Sequence, residues 1–319
     1  MTHAGGLLSL RQWSGAAAAL LIAAGSALAG ETCEDITVSG AAQMTIPDAY
    51  SPFAPADLTG TTVVTLANNA EAPCPLALAV TAQSGGQLRG RGETLEYTLE
   101  TPEGQPLINP PSLVDPTAGH HIALTLPGGE AASLTIRARI PAGQTAPPGV
   151  YTDNAAALRV YHDAPQGFAE LLSRTRFPVT GRVAAVCRLA APQPATLDFS
   201  ADIGPDARPR GGWHSVRLPE AACNTGARLE LRGRALARDG EAVAGFDDFI
   251  DLEARAQFRS VMAALLTAGA DHRAEASSDR SPDDGAMDPV DVMIRLRPGR
   301  PLAAGAYEST LTIALEPAS

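Results

Sequence analysis

Lysine is absent from this chain: each of its 24 basic residues is an arginine. That excludes covalent crosslinks between lysine and asparagine side chains. Aromatic residues make up only 4% of the sequence, so any core must be filled by aliphatic side chains. No apolar run beyond residue 30 approaches the roughly 20 residues that a membrane-spanning helix needs. The formal charge is −11, with the acids dispersed along the chain; this argues against nucleic acid or an anionic membrane as a partner. Catalytic signatures are missing too. There is no G-x-S-x-G, no HExxH, no phosphate loop and no dinucleotide fingerprint, so the sequence reads as a non-enzyme without a cofactor.

What is present begins with a leader. Arg11 supplies a positive start, Gly15 to Ala24 a short apolar stretch and Ala27-Leu28-Ala29 a small-residue cleavage pattern. Residues 1–29 are therefore expected to be a signal peptide. Cys33 does not directly follow the cut, which argues against lipid attachment. The product is expected to be exported and unanchored.

The remainder reads as one unit written twice. Cys33, Cys74 and Gly149-Val150-Tyr151 recur as Cys187, Cys223 and Gly305-Ala306-Tyr307, about 150 residues further on. The four cysteines allow three connectivities, and the repeat favours Cys33 with Cys74 and Cys187 with Cys223. Neither pair has CxxC spacing, so the bonds are structural. Alternation at period two runs through both units. Leu95, Tyr97 and Leu99 form one such run and Leu134, Ile136, Ala138 and Ile140 another; Val290, Val292, Ile294 and Leu296 form a third. The stretch Phe258, Val261, Met262, Leu265 and Leu266 also fits a helical stripe, but upstream alternation favours strand. Thr101 to Gly119 and Gly269 to Asp288 carry no strand pattern and are expected to be exposed loops. With sharp Gly and Pro turns, the pattern predicts an all-β chain of two tandem immunoglobulin-like sandwiches, residues 30–182 and 183–319. A strand-like run from Leu172 to Val186 follows the first Gly-x-Tyr, whereas only Glu308 to Ser319 follow the second. The second sandwich is therefore expected to lack its final strand and to expose a groove along Leu311, Ile313 and Leu315.

Individual residues carry further expectations. Tyr151 and Tyr307 read as strand anchors through packing and a hydroxyl hydrogen bond. Leu107, Ile108, Leu113 and Val114, in a proline-rich segment, are candidates for an exposed adhesive loop. Tyr50, Phe53, Phe168, Leu171 and Leu172 are weaker ones. His120 and His121 are adjacent and point to opposite faces of a strand, which makes them poor partners for one metal. Asp283, Asp284, Asp288 and Asp291 cluster without the spacing of a calcium loop, and Asp247, Asp248 and Asp251 read as a solvated turn.

Taken in order, the cysteine of the first strand, Tyr50-Ser51-Pro52-Phe53, Gly60-Thr61-Thr62-Val63-Val64, Cys74 and Pro148-Gly149-Val150-Tyr151 resemble the spore coat protein U family, which includes pilins of archaic chaperone–usher pili. In the second unit, Cys187, Leu197-Asp198-Phe199, Cys223-Asn224-Thr225-Gly226 and Ala304 to Thr312 do so as well. The resemblance implies a sandwich completed by a strand from a periplasmic chaperone during export and from the next subunit in the fibre. An outer-membrane usher and an adjoining pilin would be further partners. Only Gly30, Glu31 and Thr32 precede the first cysteine, and three residues extend about 10 Å, too little for a donor strand. The resemblance thus implies a two-domain tip adhesin, moving through the periplasm to a surface pilus, whose first domain binds a surface or receptor. The competing expectation is a self-contained secreted coat or matrix protein.

Overall fold

Alternating burial is the rule along these strands. In one hairpin Leu252, Ala254, Ala256 and Phe258 face the core while Glu253, Arg255 and Gln257 face outward. After a turn at Arg259 (φ 53°), Val261, Ala263 and Leu265 face in and Met262, Ala264 and Leu266 face out. The segment that also fitted a helical stripe is a strand, because its partner fixes a two-residue period. The computed structural model describes residues 33, 35–40, 43–110, 119–164, 167–189, 195–269, 272–279 and 286–318. Among them there is no α-helix, and none that is long and apolar enough to cross a membrane.

The strands in chain order are β1 (Ile36–Gly40), β2 (Met44–Tyr50), β3 (Leu58–Asn68), β4 (Cys74–Thr81), β5 (Gln87–Gly90), β6 (Glu93–Glu96) and β7 (Thr98–Glu100). Next come β8 (Ile108–Asn109), β9 (Ile122–Leu126), β10 (Ala131–Ile140), β11 (Gly149–Asp153), β12 (Ala157–Ala164), β13 (Gly167–Arg176) and β14 (Val179–Val183). A second region holds β15 (Cys187–Arg188), β16 (Trp213–Cys223), β17 (Ala227–Gly233), β18 (Leu236–Arg238), β19 (Phe249–Ile250) and β20 (Leu252–Phe258). It ends with β21 (Val261–Leu266), β22 (Ala274–Ser277), β23 (Ala286–Leu296), β24 (Tyr307–Glu308) and β25 (Thr312–Pro317).

No described ladder joins the strands up to β14 with those from β15 onward. The first region has the sheets β1-β3-β10-β7, β2-β14-β11-β5-β6 and β13-β12-β4-β8, with β9 also on β4. The second has β15-β16-β23-β20-β21, β22-β17-β25 and β19-β18-β24. The two sets share part of their plan: β1-β3-β10-β7 matches β15-β16-β23-β20, the pair β4 and β12 matches β17 and β25, and β5 with β11 matches β18 with β24. Of the duplicated landmarks, Tyr151 and Tyr307 fall on the matching β11 and β24, whereas Cys74 opens β4 and Cys223 ends β16, which are not counterparts.

Each region has its own core. Leu66, Leu76, Leu78, Ile136, Tyr151 and Val160 belong to one cluster, confined to residues 33–183. Leu229, Leu231, Ala256, Phe258 and Val292 belong to another, confined to the second region. Residues 33–319 nevertheless form one compact unit. The two segments expected to be structureless loops both contribute strands. Ile108–Asn109 lies parallel to β4, and Ala274–Ser277 lies antiparallel to β17. Both are short stretches of two and four residues, too brief for alternation to show in the sequence.

Candidate functional site

The second region carries two strands with a single neighbour. Strand β25 pairs only with β17 and β24 only with β18 among the described residues. Their other edges present backbone N–H and C=O groups without a ladder, a template for another strand. On the far side lies β15, which comes within 8 Å of β25, Cα to Cα, without pairing to it. In the first region the same edges are occupied. Strand β13 pairs with β12, and β14 pairs with β11, Val183 opposite Gly149 and Val179 opposite Asp153.

Burial follows from that difference. On β12, Leu158 and Val160 are 1% and 0% exposed; on β25, Leu315 is the most buried residue at 9%. Leu311 and Ile313 are half-buried against the same core. Of the three residues expected to line a groove, Leu315 is thus buried in the second core and Leu311 and Ile313 pack against it half-covered.

The Gly-x-Tyr elements build both edges alike. Gly149 and Gly305 have φ of +157° and +150°, and a Cβ at Gly305 would stand 2.6 Å from Cδ of Arg238, so glycine is required there. Tyr151 donates its hydroxyl hydrogen to Pro147 O at 2.9 Å, and Tyr307 reaches Ala303 O at 2.9 Å and Asp247 O at 2.8 Å. Each ties the strand start to the carbonyl four residues upstream. Burial pushes both hydroxyls above the ordinary tyrosine range. Beside Tyr307, Arg238 is held by Asp248 at 2.6 Å; this hydrogen bond raises its already high pKa.

Both disulfides join the partners expected from the repeat. Cys33 bonds to Cys74 with Cα atoms 5.6 Å apart, and Cys187 to Cys223 at 4.0 Å. Next to the second bond stands Asn224, a 4% exposed side chain that the sequence reading passed over. Its Nδ2 donates to Ala184 O at 2.7 Å and Ala146 O at 3.1 Å, and its Oδ1 accepts from Val186 N at 2.9 Å. Asn224 thereby stitches the second region to the first. Around it Pro52, Phe53, Glu93, Arg188 and Met287 line a cleft of about 690 Å³, with the Arg188 guanidinium 5.6 Å from the Phe53 ring centre.

The expected adhesive loop needs correction. Leu107 is fully buried: its N–H donates to Leu99 O at 2.8 Å and its carbonyl accepts from Val80 N at 3.2 Å, which drops the side chain into the core. Ile108 is half-buried against that core. Asn109, also buried, donates to His120 O at 2.8 Å and holds the segment down. Leu113 and Val114 lie outside the described residues. Of the weaker candidates, Tyr50 is buried and Leu171 exposed, while Phe168 stacks on Tyr161 at 5.0 Å.

Among the described aspartates, Asp288 is exposed on β23. Asp251 Oδ1 accepts from Gly269 N and Thr267 Oγ1, and Asp291 faces Arg217 at 3.7 Å. Asp283 and Asp284 lie outside the described residues. On the outer face of β16, β23 and β20, Glu253 is clasped by Arg295 and Arg255, whose hydrogen bonds hold its carboxyl below the usual range. The two guanidiniums flank Trp213, 4.5 and 5.0 Å from its ring centre.

No family model matches the chain, and no curated protein does. Among solved structures it is similar to a chaperone–tip adhesion subunit pre-assembly complex from the archaic Csu pili of Acinetobacter baumannii, at 14% identity and a TM-score of 0.45, over 88% of this chain and 100% of that one. It is also similar to CfaE, the adhesive subunit of the CFA/I fimbria of enterotoxigenic Escherichia coli, at 13% identity and a TM-score of 0.29, over 89% and 82% of the two chains. The CooA pilin subunit of the same organism matches 47% of this chain and 98% of its own, at 11% identity and a TM-score of 0.30. Likeness at these levels carries no function by itself.

Proposed function

We propose that the chain is a subunit of a surface pilus, standing at the fibre end, whose second region accepts a strand from the adjoining subunit. The observation that carries this is the contrast at equivalent edges: β11 and β12 are covered by β14 and β13, whereas among the described residues β24 and β25 have one unpaired edge each over a partly covered core. A donor strand laid along β24 and β25 inserts alternate apolar side chains between Leu311, Ile313 and Leu315 and the β15 edge. The motif resemblance to the spore coat protein U family favours the same reading. On it, a periplasmic chaperone occupies the groove in transit, an outer-membrane usher passes the subunit on, and the protein ends at the cell surface. The boundary near residue 183 then separates a closed outward domain, which binds a surface or receptor, from an acceptor domain.

The test is a fusion. A linker and the leading segment of the adjoining pilin, placed after Ser319, should turn an aggregation-prone product into a soluble monomer with a higher melting temperature. An unfused protein that is already a stable monomer, with an unchanged melt on fusion, would reject the acceptor reading in favour of a self-contained coat protein.

A further inference from the structure

The strand that starts at the junction between the two regions, β11, has its counterpart in β24 of the second region. In the first region, β14 runs alongside β11 until Val183 reaches Gly149, and the chain enters β15 at Cys187 soon after. The closing strand of the first region therefore leads straight into the body of the second. That body covers the pole at which β11 begins: Arg188, Asn224 and Met287 stand over Phe53, Glu93 and Ala146.

The same pole of the second region is where β24 begins. Here the duplicated strands are connected differently. Between β5 and β6 lies the tight turn Arg91-Gly92, with φ of 49° and 82°. Between the matching β18 and β19 runs a loop from Asp239 to Asp248. It displays Val243 and Phe246, each 43% exposed, beside Phe249 at 36%. The loop is held firmly: Asp247 N donates to Pro301 O at 2.8 Å, Ala303 N to Asp247 O at 3.2 Å and Phe246 N to Val243 O at 3.1 Å. Tyr307, at the start of β24, donates to Asp247 O, and Arg238 bonds Asp248. Apolar side chains displayed on a fixed loop lose little freedom on binding, and contiguous ones mark interaction surfaces.

We infer that Val243, Phe246 and Phe249 form a seat for the body of the subunit whose strand fills the groove, an inference that rests on the acceptor reading above. Geometry selects this occupant. A strand laid on β24 as β14 lies on β11 leaves the groove at the Gly305 end, beside the loop, and delivers its own body there. The chemistry of the fit follows from the occupied junction: an apolar base bearing arginine, as Met287 and Arg188 present to the first region. The exposed acids Asp239 and Glu241 favour the same positive rim.

The test uses the full-length chain in the cells that assemble it, carrying p-benzoylphenylalanine in place of Phe246 or, separately, of Ile313. Illumination should join both positions to the same polypeptide. Replacing Val243, Phe246 and Phe249 by serine should lower the yield from Ile313 roughly tenfold or more, since that factor needs only about 1.4 kcal/mol, while melting stays near that of the parent. A crosslink from Ile313 with none from Phe246, or to a different partner, would overturn the seat and leave the acceptor reading standing. An Ile313 yield unmoved by the triple serine variant would also overturn it. No crosslink from either position would overturn both.

Discussion

The two regions are built on one strand plan and differ in how their last edges are treated. In the first, β13 and β14 cover β12 and β11, and Leu158 and Val160 are sealed. In the second, β25 and β24 have one neighbour each among the described residues, and Leu311 and Ile313 remain half-exposed. The difference teaches that a region can keep the strand pattern, a disulfide and a tyrosine anchor while the pairing of its last edges differs, because edge pairing is not written in the strands already present.

The most severe way to stress this comparison is to remove each disulfide. The loops span 41 and 36 residues, so chain entropy assigns each about 4 kcal/mol. Near-equal costs on unequal frameworks should give unequal outcomes. C187A/C223A is expected to leave the second region unfolded at 37 °C, whereas C33A/C74A leaves the first folded with a lowered midpoint in urea. Equal outcomes would mean that the open edges cost little.

Core truncations sharpen the contrast. Leu158→Ala should cost about 3–5 kcal/mol and Leu315→Ala about 2 kcal/mol or less, because a site already open to water leaves a smaller cavity. Leu107→Ser should likewise destabilise the first region by several kcal/mol, on the order of a buried leucine lost. If it instead spared stability and abolished attachment, the segment would be adhesive after all. Chemical denaturation followed by circular dichroism measures all three.

Asn224→Ala breaks the stitch between the regions. It leaves Ala146 O, Ala184 O and Val186 N without a partner, a loss of about 1–3 kcal/mol, and should split one calorimetric transition into two. A single transition would show that the cleft residues hold the regions together without it. The smallest effect concerns pH. The carboxyl of Glu253 is held below 4.5 by Arg295 and then Arg255, so its contribution is present above that value and lost as pH falls through the depressed one. Glu253→Gln should flatten the acid limb of the second region's stability curve below about pH 4.5 and leave that of the first unchanged.

Much of this architecture was legible because strands with an inward face write period two into the sequence, as Leu252 to Phe258 do. The cysteine and Gly-x-Tyr spacing exposed the duplication, and with it the disulfide partners. What escaped had no local period. Leu107 looked exposed among prolines, yet its burial is decided by hydrogen bonds to Leu99 and Val80. Asp153, which accepts from Tyr97 at 3.0 Å in the first core, and Asn224 at the junction depend on contacts far along the chain. Asp247, Asp248 and Asp251 read as a solvated turn, since only comparison with Arg91-Gly92 shows the loop from Asp239 to Asp248 to be an enlargement.

Native-state amide hydrogen exchange addresses the central claim most directly, since it reads edge pairing residue by residue. In the full-length protein, amides of β11 and β12 should exchange only through global opening, whereas those of β24 and β25 that lack a ladder partner should exchange far faster. A donor segment fused after Ser319 should slow the second set toward the first. Equal protection of the two sets without any donor would contradict the account, because it would mean that the second region is closed by itself.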